Sequence, residues 1–148
     1  MMRWLMIGLL LTAGCAASRP ETPNPLDVTV ESWEQMDAKP LNAQIDDAVG
    51  DGASWPSSPL EITIELFGSD VDTRSVALKE ELNRGEGADT VVVIMVRDGF
   101  LDDSIRGYWE RIVYHRQPDR TWRVLDVRRA YRCWRGHHTD TYSSHWCL

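Results

Sequence analysis

Thr90-Val91-Val92-Val93-Ile94-Met95-Val96 is apolar at every position after its first residue. A strand with one wet face alternates polar and apolar residues, whereas a run apolar throughout belongs to a strand covered on both sides. This stretch therefore predicts a central strand, closed by the turn former Asp98-Gly99. Toward the C-terminus, residues 105–116 and 121–133 read as two long strands folded about Gln117-Pro118-Asp119-Arg120, a turn sequence with proline and aspartate. In the first arm Trp109, Arg111, Val113 and His115 share one face, and Tyr108, Glu110, Ile112 and Tyr114 the other. In the second arm Trp122 and Val124 share a face, then Leu125 and Val127 break phase, which predicts a bulge near Asp126.

Toward the N-terminus, Arg74 to Leu82 is the fourth strand candidate, with Val76 and Leu78 on one face; a helix is the other reading there. Ser58-Pro59-Leu60-Glu61 carries a capping hydroxyl, a proline at the first helical position and a glutamate three residues on. Leu60, Ile62, Ile64 and Leu66 nevertheless alternate with Glu61, Thr63 and Glu65, which is strand periodicity. We read a short helix over 59–67, with the strand reading open. Glu31 to Val49 reads as mostly helical, with apolar residues at three- and four-residue steps, divided by Pro40 and stopped by Gly50. The fold class expected is α+β: N-terminal helices packed on an antiparallel four-stranded meander, with a C-terminal loop closed by a disulfide.

The first fifteen residues predict where this domain resides. Arg3 supplies a positive charge, Trp4 to Leu11 an apolar run, and small residues lead to Cys15. That is the layout of an export signal, and the run is far short of the about 20 residues a membrane span needs. Leu11-Thr12-Ala13-Gly14-Cys15 resembles the lipobox of bacterial lipoproteins, with Thr12 where the usual pattern has leucine. The resemblance implies cleavage after residue 14 and acylation of Cys15 by palmitate-type chains. Residues 15–30 then form a lipidated, proline-containing tether (Pro20, Pro23, Pro25), and residues 31–148 a single globular domain. The chain is expected to be lipid-anchored to the cell membrane and, in a cell that has an outer membrane, lipoprotein sorting rules place it there facing the periplasm, because Ala16 stands where a retention signal has aspartate.

The net charge of −7 among 148 residues argues against a nucleic-acid partner, since phosphate neutralisation needs clustered lysine and arginine. The charge is unevenly placed, with nine arginines and four acids after Asp103. That half presents either a basic surface for anionic partners or an arginine-rich sheet face paired with acids of the same fold.

With Cys15 lipidated, Cys133 and Cys147 remain as an even pair in an oxidising compartment, which predicts a disulfide. The segment from Cys133 to Cys147 also carries Trp134, His137, His138, Tyr142, His145 and Trp146. Two thiolates with two imidazoles would suit zinc, but the spacing is not that of a zinc finger. Trp134, Tyr142 and Trp146 offer a stacking platform for sugar rings, or else close a small core over the disulfide. These six residues are the candidate binding surface. Asp102, Asp103 and Ser104 read as turn formers, and no nucleophile elbow, zincin helix, phosphate loop or dinucleotide fingerprint is present.

The C-terminal half is similar to a family of small exported bacterial proteins. Gly99-Phe100-Leu101-Asp102-Asp103-Ser104-Ile105-Arg106-Gly107 resembles that family's segment of glycine, apolar pair, Asp-Asp-Ser and aliphatic residue. Trp122-Arg123-Val124, Arg132-Cys133, Gly136-His137, Tyr142-Ser143 and Cys147 follow in the family's order, with a longer interval from His137 to Tyr142. The likeness covers about residues 59–148. It implies a fold and a disulfide but names no reaction. At the level of architecture the layout also resembles the curved sheets of cystatin and nuclear-transport-factor domains, which carry many unrelated functions.

The expected function is that of a membrane-anchored, non-catalytic binding or structural module of the cell envelope. Its partners would be the membrane, through its lipid, and an envelope protein or glycan, with no cofactor. A second expectation is a small-ligand domain whose pocket, between sheet and helices, is lined by Trp109, Tyr114 and Trp122. A third is a metal-dependent hydrolase using His137, His138 and His145.

Overall fold

The computed structural model describes residues 24–68, 72–85 and 87–148. The expected signal peptide, the expected lipidation site Cys15 and most of the expected tether lie outside the described residues. Five strands and two helices make an α+β domain: β1 (Glu34–Gln35), α1 (Lys39–Gly50), α2 (Pro59–Phe67), β2 (Ser75–Leu82), β3 (Thr90–Asp98), β4 (Ile105–Arg116) and β5 (Trp122–Cys133). The sheet order is β1-β5-β4-β3-β2, and every neighbouring pair is antiparallel.

The expected four-stranded meander is β2 to β5, and β1 is an added edge strand. Glu34 pairs with Arg129 and Gln35 with Arg128, so the helix expected from Glu31 instead starts at Lys39. Tertiary pairing overrides the helical spacing here: the Met36 amide donates to the Val127 carbonyl, and the Tyr131 hydroxyl donates to Glu34. Pro40 occupies the first turn of α1, as its fixed φ favours, and Gly52 (φ 75°) supplies the left-handed residue beyond the C-terminal end. Over 59–67 the capping signal wins. The Glu61 amide donates to Ser58 Oγ, and Pro59, Ile62, Thr63 and Phe67 become the buried side of α2 while Ile64 is exposed.

β3 is covered on both faces. Toward the helices, Val91, Val93 and Met95 pack with Ile112, Tyr114, Trp122, Val124 and Val127 against Ile45, Ile62 and Phe67. On the opposite face Val96, Ala130 and Tyr142 are covered by Leu26, Val28 and Val30, with Ile94 and Trp109 beside them. Leu26, Val28 and Val30 thus belong to the folded domain although they fall within the segment 15–30 expected as a tether. Val30 bridges Tyr142 in parallel, and the Glu31 amide donates to the Tyr142 carbonyl (2.8 Å).

The β4–β5 register shifts between Val113 and Tyr114, which pair with Asp126 and Val124. Leu125 is the extra residue, and it points to solvent while Val124 and Val127 both reach the core. One bulge therefore reconciles the phase break with a single buried face.

Candidate functional site

A disulfide joins Cys133, the last residue of β5, to Cys147, with Cα atoms 5.5 Å apart. The segment between them is laid back onto the sheet by backbone pairing. Tyr131 and Ser143 exchange two backbone hydrogen bonds (2.7 and 2.9 Å), and the Cys133 amide donates to the His138 carbonyl (3.1 Å). Gly136 (φ 81°) and His138 (φ 60°) take the left-handed conformations that turn the chain.

Below the bridge, Cys133, Cys147, Phe100, Ile105 and Tyr131 form a second small core, with Tyr108 at its side. Above it opens a cleft of about 410 Å³, lined by the disulfide, Arg135, Gly136, His137, His138, His145, Trp146 and Leu148. Its volume falls in the range, roughly 300–1,000 Å³, of small-ligand sites.

Two serine-bearing segments hold the histidines. Ser32 Oγ lies 3.1 Å from Ser143 Oγ and 3.0 Å from Ser144 Oγ, and it accepts from the Ser144 amide (3.0 Å). Ser143 Oγ is bonded to His145 Nδ1 (2.8 Å). The His138 and His145 rings stack with centroids 5.5 Å apart and planes 14° from parallel, and His138 Nδ1 lies 3.2 Å from Glu31 Oε2. Each ring is thus engaged with the protein through its Nδ1. Trp146 packs edge-on against Tyr131 (centroids 4.8 Å) yet stays 61% exposed.

Of the six residues proposed as a binding surface, four line this cleft: His137, His138, His145 and Trp146. Trp134 does not join them. Its indole N–H donates to the Phe100 carbonyl (3.1 Å), and the Arg106 guanidinium lies over its ring at 5.1 Å. Tyr142 is fully buried on the opposite sheet face, where burial and then the Asp98 charge push its hydroxyl up to about 12. Arg135 lines the cleft and was not singled out from the sequence. Its signal was its position two residues beyond the first disulfide cysteine.

Both thiols are consumed by the disulfide, so the two-thiolate zinc reading loses its sulfur ligands. Among the described residues no group of three or more histidine, cysteine, aspartate or glutamate side chains is arranged to hold a metal. Ser143 is 1% exposed, so its bond to His145 positions the imidazole and does not present a nucleophile. Trp109, Tyr114 and Trp122 line no common pocket: Tyr114 and Trp122 fill the helix-side core and Trp109 is on the other face.

A second feature lay beyond sequence reasoning. Glu110 is fully buried between Arg97 and Arg129, with Arg97 Nη2 at 3.0 and 3.1 Å from its two oxygens. Tyr108 sits between the two guanidiniums, at 5.0 and 5.1 Å from its ring centroid. Elsewhere Arg106 and Arg132 pair with Asp98, Arg111 and Arg128 with Asp126, and Arg123 with Asp46. The arginine-rich half is largely neutralised within its own fold.

No protein-family model, curated protein or solved structure matches the chain.

Proposed function

We propose that this protein is a lipid-anchored module of the cell envelope that works by binding through its C-terminal cleft, without turnover. The observation that carries this reading is the cleft itself. A disulfide, a stacked imidazole pair and a largely exposed tryptophan converge around one opening of about 410 Å³. The anchor is acylated Cys15, and several acyl chains at about 0.8 kcal/mol per buried CH₂ hold it permanently, outer membrane facing periplasm. The partner is an envelope glycan or protein.

The likeness to cystatin and nuclear-transport-factor domains belongs to architecture only. A pocket between sheet and helices has no support from Trp109, Tyr114 and Trp122, which lie in different layers.

Site-specific photocrosslinking in intact cells tests the binding role. A crosslinker at residue 137 yields a discrete adduct, while one at residue 47, on the exposed side of α1, yields none. Equal labelling at both positions, or at neither, removes the cleft as the working surface.

A further inference from the structure

We infer that the cleft takes a carboxylate-bearing saccharide. The inference rests on the binding role proposed above and specifies its ligand. Arg135 and His137 are exposed at the rim and enter no ion pair among the described residues. No aspartate or glutamate side chain is among the lining residues: Glu31 engages His138 from outside them, and the acid within the lining is the main-chain carboxylate of Leu148. In a chain of net charge −7, whose other C-terminal arginines are mostly paired with acids, this leaves a local concentration of unspent donors. The Arg135 fork matches the two oxygens of a carboxylate. The stacked imidazoles of His138 and His145, each held through its Nδ1, match the donor-and-acceptor character of sugar hydroxyls. Trp146, held edge-on by Tyr131 and otherwise open, offers the apolar platform that the CH face of a pyranose covers.

An anionic lipid shares the negative charge but needs an apolar slot for its tails. The apolar groups at the cleft are the disulfide, Trp146 and Leu148, a short patch against the length of an acyl chain. The cleft therefore favours the sugar.

The test uses the mature, full-length lipoprotein in polyoxyethylene micelles with its disulfide intact. Tryptophan fluorescence follows titration with trigalacturonate, with uncharged maltotriose, and with vesicles containing phosphatidylglycerol. We expect trigalacturonate to bind about tenfold tighter than maltotriose, and Arg135→Glu to erase that preference. Trp146→Ala weakens both sugars. Arg120→Glu, an equal charge change on the β4–β5 turn, changes nothing, which separates local recognition from net charge. Equal affinity for the two trisaccharides, an Arg135→Glu variant that retains the preference, or response to the vesicles alone overturns the saccharide assignment. Crosslinking from residue 137 is read separately: adducts there without trigalacturonate binding sink the ligand class and spare the cleft.

Discussion

Glu110 and Arg129 face each other directly across β4 and β5, and the guanidinium donates to Glu110 Oε1 from both Nε (3.0 Å) and Nη2 (2.6 Å). Arg97 holds the same carboxylate from β3, so three adjacent strands are joined at one buried charge. The triad lies on the helix-side face between the main core and the smaller core beneath the disulfide. It fixes the register on which the cleft stands.

Removing the shared acid takes from the Arg97 and Arg129 guanidiniums the buried carboxylate that both of them hold. Glu110→Ala is expected to cost about 3–5 kcal/mol in urea unfolding. The triple replacement Arg97→Met, Glu110→Leu, Arg129→Met recovers most of that loss, because no unpaired charge remains buried. A triple variant as unstable as Glu110→Ala would show that the charges themselves, and not their pairing, hold the strands.

The Cys133–Cys147 bridge closes a loop of 14 residues' separation. Its loss through Cys133→Ser with Cys147→Ser lowers unfolding free energy by about 3 kcal/mol on the chain-entropy model. Thiol titration of the denatured wild type finds neither Cys133 nor Cys147 reactive. Two free thiols there would contradict the bridge.

Thr63 of α2 and Tyr114 of β4 are both fully buried and share a 2.7 Å hydrogen bond, while Thr63 also donates to the Pro59 carbonyl. Tyr114→Phe is expected to destabilise by about 1–3 kcal/mol. Burial first holds its phenol in the neutral form, so the loss is independent of pH through the neutral range. In a double-mutant cycle with Thr63→Val the two costs fall short of additive. Additive costs would mean the hydroxyls do not act as a pair.

Asp102 closes the β3–β4 loop, accepting from the Ile105 and Ser104 amides (each 2.7 Å) and from Ser104 Oγ (3.0 Å). The Ile105 amide foremost, then Ser104, holds the carboxyl below the usual aspartate value of about 3.9. A folded-state value below the unfolded one adds stability that is present above the unfolded value and lost as pH falls through the folded one. The wild type's advantage over Asp102→Asn is therefore full well above the unfolded aspartate value of about 3.9 and shrinks as the pH falls below it, read as the difference in urea midpoint. A constant difference would contradict the role of the charge.

Much of the sheet was legible because its signals were local. The apolar run of β3, the turn at Gln117–Arg120 and the broken phase at Leu125 each stand in consecutive residues. β1 was not legible: two residues gain their identity from the Arg128 and Arg129 backbone more than ninety positions away. In the cleft, the histidines and Trp146 were found by composition. Trp134 and Tyr142 do not line it, because neighbours in an irregular loop face different ways, one toward Phe100 and one through the sheet. The Arg97–Glu110–Arg129 triad needs three strand registers at once, which alternation in any one strand does not supply.

Intact-mass analysis of the protein extracted from the membrane fraction tests the central claim, an acylated and disulfide-closed envelope module. The account predicts a chain beginning at Cys15, carrying acyl chains, and lacking the two hydrogens of a Cys133–Cys147 bond. An unacylated chain beginning at Met1, with reduced cysteines, would contradict it.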